Sequence, residues 1–82
     1  MRDVRFGGLT RRQLETYRFI ERFIAAHGYS PSYEEIKEAL GSRSKSLVHA
    51  IVQALAARGF ITVLPGRSRS IALATVPEAP AA

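Results

Sequence analysis

"GSRSKSLVHAIVQALAARGF", residues 41–60, decides how this chain is read. Glycine stands near each end, and between them apolar residues recur at helical spacing. At 100° per residue, Val48, Ile51, Val52 and Leu55 gather within roughly 100° of one another. Ser46, Ala50, Gln53 and Ala57 lie on the opposite side, with Leu47 and His49 on the flanks. Ser44 is the best N-cap, and the spacing predicts a helix running to about Arg58, stopped by Gly59. A surface helix of this length usually carries some acid on its wet side. This one carries none, and no acid occurs anywhere from Ala39 through Pro77.

Upstream, Thr10 and Gln13 have the spacing of a capping box, in which a hydroxyl and an amide side chain satisfy each other's orphan N–H groups. A first helix is predicted over Arg11–His27, with Leu14, Tyr17, Ile20 and Ile24 on one line and Phe19 and Phe23 widening it. Gly28 ends it, and Pro31 holds Ser30 extended. Ser32 and Glu35 form a second capping box before a short helix whose inner stripe is expected to be Tyr33, Ile36, Ala39 and Leu40. Gly41 stops that helix after about two turns, too few for stability without docking. Downstream the period changes. "FITVL" and "IALA" read as two strands around the turn "PGRSRS".

Helix, short helix, helix and hairpin, with a brief glycine-containing turn between the second and third helices, make a winged helix-turn-helix. The fold class is mainly α with a small β-hairpin. The expected organisation is a flexible N-terminal arm over residues 1–8, the folded domain over 9–74, and a disordered tail or linker over 75–82. Arg2 and Arg5 belong to that arm, as DNA contacts or as a loose end.

Eighty-two residues hold one domain, with a core limited to burying ~60% of the unfolded surface. Twelve Lys and Arg against seven Asp and Glu give +5, which favours an anionic partner; ten of the twelve are arginine, a bias that a GC-rich genome also produces. Placement is more informative than the sum. Residues 42–77 contain Arg43, Lys45, Arg58, Arg67 and Arg69 and no acid. There is no cysteine, which fits a reducing cytoplasm, no apolar run near the ~20 residues of a membrane span, and no visible signal peptide.

The outward side of the third helix suits entry into the major groove of double-stranded DNA. Ser46 and Ala50 allow close approach, Gln53 can pair bidentately with adenine, and Lys45 and His49 can meet base edges or phosphates. Arg67, Ser68 and Arg69 at the turn of the wing are placed to clamp phosphates or enter a minor groove. Arg43 and the amides opening helices two and three are further phosphate candidates. The opposing reading of all these positions is an ordinary solvated surface. Two histidines, no cysteine and one aspartate assemble no metal set and no catalytic constellation. No enzyme, cofactor or small-molecule ligand is indicated.

"LTRRQLETYRFIERFIAAHGYSPSYEEIKEALGSRSKSLVHAIVQALAARGFITVLPGRSRSIAL" resembles the N-terminal DNA-binding domain of the LexA repressors. Its motifs are "LT.RQ", "G.SPS..EI...LG", "S......AL..RG.I" and "G.SR.I.L", from Leu9 to about Leu73. The resemblance implies a bacterial or phage transcriptional repressor, cytoplasmic and nucleoid-associated, whose Ser44, Ser46, Leu47, His49 and Ala50 face bases. Members typically carry Asn-Ala and Glu-Glu pairs where this chain has Ser46-Leu47 and His49-Ala50, so a different operator is expected. The family's self-cleaving Ser-Lys domain, which supplies most dimerisation, does not fit after Leu73. The chain therefore reads as an excised half or as a standalone protein, with its length favouring the second, and it could pair as a homodimer on an inverted repeat. The rival reading is a protein-interaction winged helix in which Leu47, Leu64 and the wing hold a partner protein.

Overall fold

The structure, a computed structural model, describes residues 8–66 and 69–74. In chain order these form α1 (Arg11–His27), α2 (Tyr33–Leu40), α3 (Lys45–Ala57), β1 (Ile61–Val63) and β2 (Ile71–Leu73). Three helices and one antiparallel hairpin reproduce the winged helix-turn-helix order expected from the sequence. The arm, apart from Gly8, and the tail over 75–82 lie outside the described residues, as do Arg67 and Ser68.

Both capping boxes form. The Gln13 N–H donates to Thr10 Oγ1 at 3.1 Å, and the Thr10 N–H donates to Gln13 Oε1 at 3.1 Å. The Glu35 N–H donates to Ser32 Oγ at 3.1 Å, and the Ser32 N–H to Glu35 Oε1 at 2.9 Å. At the start of α3, Ser44 Oγ accepts from the Leu47 N–H at 3.1 Å. Each bond satisfies an amide that the first turn of a helix leaves without an internal partner.

The end of α3 sets the path into the wing. The helix finishes at Ala57, one residue earlier than the sequence predicts, with Arg58 as its cap. The Gly59 N–H then donates to the Ala56 carbonyl and the Phe60 N–H to the Leu55 carbonyl, both at 3.0 Å. That pair of bonds requires a left-handed residue, and Gly59 supplies it at φ +85°. Phe60 is thereby turned into the core, its ring edge-on to Tyr17 with centroids 5.5 Å apart.

The core gathers Tyr17 and Ile20 from α1, Ile36 from α2, and Val48, Ile51, Val52 and Leu55 from α3, with Phe60, Ile61 and Ile71 closing it. Tyr33 and Leu40 pack against its edge. Ala39, expected on the inner stripe of α2, is exposed. Tyr33, Ile36 and Leu40 define the inner line of this short helix, and at 100° per residue Ala39 sits roughly 90° off it. The Arg12 guanidinium donates to the Leu40 carbonyl at 3.2 Å, tying α1 to the end of α2.

The hairpin pairs Ile61 with Leu73, Thr62 with Ala72 and Val63 with Ile71. Ile61 and Ile71 are buried, while Thr62 and Ala72 face outward. Among the described residues, no helix is long and apolar enough to cross a membrane.

Leu55 is fully buried at the centre of this core. Leu55→Ala is expected to cost about 2–5 kcal/mol, a large part of the roughly 4–12 kcal/mol available to a domain of this size. Urea unfolding followed by circular dichroism measures it as a lower midpoint.

Candidate nucleic-acid interface

The inward commitment of Val48, Ile51, Val52 and Leu55 forces the rest of α3 outward. Ser46, Leu47, His49, Ala50 and Gln53 are all exposed. Seven residues at 1.5 Å each put Gln53 roughly 10 Å along the axis from Ser46, a span that a major groove about 12 Å wide accommodates. Arg43 is exposed in the turn before α3. That turn is shaped by Ser42, whose Oγ accepts from the Ser44 N–H at 3.0 Å. Ser44 is exposed, but its oxygen is committed to capping the Leu47 N–H, which leaves its hydroxyl to act as a donor.

Between α3 and the wing runs a groove of about 670 Å³. Tyr33, Lys45, His49 and Gln53 line its helical side, and Val63, Leu64, Pro65 and Gly66 line the other. Leu47 and Leu64 are large apolar residues left 40% and 49% exposed.

Tyr33 is a member of this site that sequence reasoning assigned to the core alone. Its hydroxyl is hydrogen-bonded to the Gln53 side chain. Its ring lies 5.8 Å from the His49 ring, centroid to centroid. Burial pushes its phenol above the ordinary value, against the smaller opposing effect of the Gln53 bond. The phenol is therefore neutral near pH 7. The signal available in the sequence was an aromatic with a polar tip in the first turn of the short helix.

Lys45 has a neighbour that α3 does not supply. Its Nζ lies 3.6 Å from Glu34 Oε1, and Glu34 Oε2 lies 3.3 Å from Lys37 Nζ. One carboxylate of α2 thus sits between two ammonium groups at the rim of the groove, while α3 itself remains free of acid. Exposed pairs of this kind contribute little to stability. The amides opening α2 are among the phosphate candidates expected from the sequence. The α2 capping box already uses the Glu35 and Ser32 amides, and Glu34 and Glu35 place negative charge there.

Arg69, expected at the wing turn as a phosphate or minor-groove contact, is turned back onto α2. Its two terminal nitrogens donate to Glu35 Oε1 and Oε2 at 2.7 and 3.0 Å, and one of them also donates to the Ser30 carbonyl at 2.9 Å. The guanidinium carbon lies 4.9 Å from the centre of the Tyr29 ring. Arg67 and Ser68, the other wing candidates, fall outside the described residues.

A sequence model of the LexA DNA-binding domain matches residues 7–70. The chain belongs to the LexA DNA-binding domain family. The LexA repressor of Erythrobacter litoralis (strain HTCC2594) is 49% identical over 70 residues, which is 85% of this chain and 30% of that protein. The chain thus spans about a third of the length of this curated relative. In this LexA-type domain, Ser46, Leu47, His49 and Ala50, the four outward positions expected to depart from the family, are all exposed on α3.

Hydrogen bonds from Arg69, reinforced by the Ser32 N–H, lower the Glu35 carboxyl from 4.5 to about 2. A carboxyl depressed in the folded state adds stability that is complete above its unfolded value and is lost as pH falls through the folded one. Relative to Glu35→Gln, the native chain is therefore expected to keep its advantage above about pH 4.5 and lose it on the way to about pH 2. Thermal unfolding of both proteins across that window measures the difference.

Proposed function

We propose that this chain binds double-stranded DNA in a sequence-specific manner and represses transcription by occluding its site. The observation that carries the reading is the outward face of α3, small, polar and free of acid, beside a groove rimmed by Lys45 and the wing. Ser46 and Ala50 let the helix axis come close to base edges. Gln53, beside Tyr33 in the groove, offers an amide pair to adenine. His49 and Ser44 supply further donors, and Leu47 offers an apolar contact of the kind a thymine methyl takes. Arg43, Lys45 and Arg67 provide the phosphate attraction that fixes register without reading sequence. Nothing in this scheme asks the domain for catalysis, and the expected place of action is the bacterial nucleoid. Two copies on an inverted repeat would double the footprint.

The exposed Leu47 and Leu64 also suit a partner protein, which makes a protein-interaction module the second reading. Salt separates the two. Fluorescence anisotropy on duplex DNA should give a log–log salt slope of about −4 for a single copy with four or five phosphate contacts, and roughly twice that for a pair. Gln53→Ala and His49→Ala should each relax preference at single base pairs by about 1–3 kcal/mol while leaving the slope unchanged. Absence of binding to any duplex in a random pool, or affinity indifferent to salt, would contradict the DNA reading.

A further inference from the structure

We propose, on the basis of that DNA-binding reading, that Arg69 is a positioning residue: it latches the wing to the start of α2 and so fixes the groove between wing and recognition helix. A hairpin with only three paired residues per strand does not hold its own direction and takes it from whatever it leans on. Ile61 and Ile71 anchor its base in the core. Above that base, the return strand is tied at two further points. Arg69 grips the Glu35 carboxylate with both arms of its fork and adds a bond to the Ser30 carbonyl. Two residues on, the Ile71 N–H donates to the buried Ser30 Oγ at 3.3 Å.

The receiving end is itself rigid. Glu35 Oε1 also accepts the Ser32 N–H within the capping box, so the carboxylate that holds the wing is fixed to the first turn of α2. The planar fork of arginine matches a carboxylate in a way that a lysine ammonium does not. Pairing leaves Arg69 and Glu35 with no net charge between them. Arg69 can therefore offer charge to a phosphate only by releasing Glu35 and the wing with it. What the latch sets is the separation of Leu64, Pro65 and Gly66 on one wall of the groove from His49 and Gln53 on the other.

A phosphate clamp and a latch make opposite predictions for Glu35→Gln. If Arg69 served as a clamp, removing the carboxylate would free it and tighten binding. Arg69→Ala would then reduce the salt slope by about 1, and Arg69→Lys would bind much as the native chain does. As a latch, Glu35→Gln, Arg69→Ala and Arg69→Lys should each weaken binding to the preferred duplex by roughly tenfold. The pair Glu35→Gln with Arg69→Ala should be no worse than either alone, and the salt slope should stay at its native value.

Anisotropy titrations of the full chain at several salt concentrations, run cold where circular dichroism shows every variant folded, give these numbers. Amide exchange at Ile71 should accelerate in Arg69→Ala and Glu35→Gln alike. Native-like or tighter binding by Glu35→Gln, or a slope reduced by Arg69→Ala, overturns the latch while leaving the DNA reading intact. Lower melting temperatures with unchanged affinity also overturn it, since the pair would then serve stability alone. If the native chain binds no duplex, the DNA reading is what fails, and the latch falls with it as a recognition device.

Discussion

The apolar side of α3 is the constraint on which the rest of the molecule depends. Val48, Ile51, Val52 and Leu55 form much of the buried core, packed among Tyr17, Ile20, Ile36 and Phe60. A helix of 13 residues with that many inward positions has little rotational freedom. Turning it by even one position would expose isoleucine or leucine and bury Gln53 or Ser46 without partners, each a penalty of order 1–3 kcal/mol. The outward face is thus fixed by packing, before any ligand is considered, and its composition is free to serve recognition. The helices around it take supporting roles. α2 is too short to stand alone and is held by its capping box and by Arg12 at its far end.

Charge is distributed with the same division of labour. Two of the three acids of α2, Glu34 and Glu35, sit in its first turn, where they suit the helix dipole, and both are engaged by cations. Glu34 lies between Lys37 and Lys45, and Glu35 holds Arg69. Lys45 and Arg69, both counted in the basic half, are therefore already paired, one loosely at an exposed rim and one through a bidentate fork. Among the described residues, Arg43 and, to the extent that Glu34 yields it, Lys45 can offer charge to an anionic partner. A net charge of +5 describes the chain's general affinity for polyanions, but the geometry narrows which residues can express it.

The local parts of this architecture were legible in the sequence. Capping boxes span three residues, so Thr10 with Gln13 and Ser32 with Glu35 announced two helix starts. The stripe Val48, Ile51, Val52 and Leu55 announced which side of α3 is buried. Ala39 was misread because a two-turn helix offers too few apolar positions to locate its inner line. The engagement of Arg69 with Glu35 was not legible for a different reason. The partner is 34 residues away, and no local pattern specifies a contact at that range. Strand alternation carried back from Leu73 and Ile71 does put Arg69 on the helix-facing side, a hint outweighed by its place in the turn "PGRSRS". Tyr33 was legible as a packing residue but not as a partner of Gln53, since that contact needs the crossing of α2 and α3.

The central claim, that the acid-free face of α3 is the recognition surface, is tested most directly by placing a carboxylate in its middle. Ala50 is exposed, so Ala50→Glu should fold with a melting temperature close to the native one. Titrated with a duplex selected by the native chain, that variant should show no binding, whereas Ala25→Glu on the exposed side of α1 should bind normally. Retention of native affinity by Ala50→Glu would contradict the account.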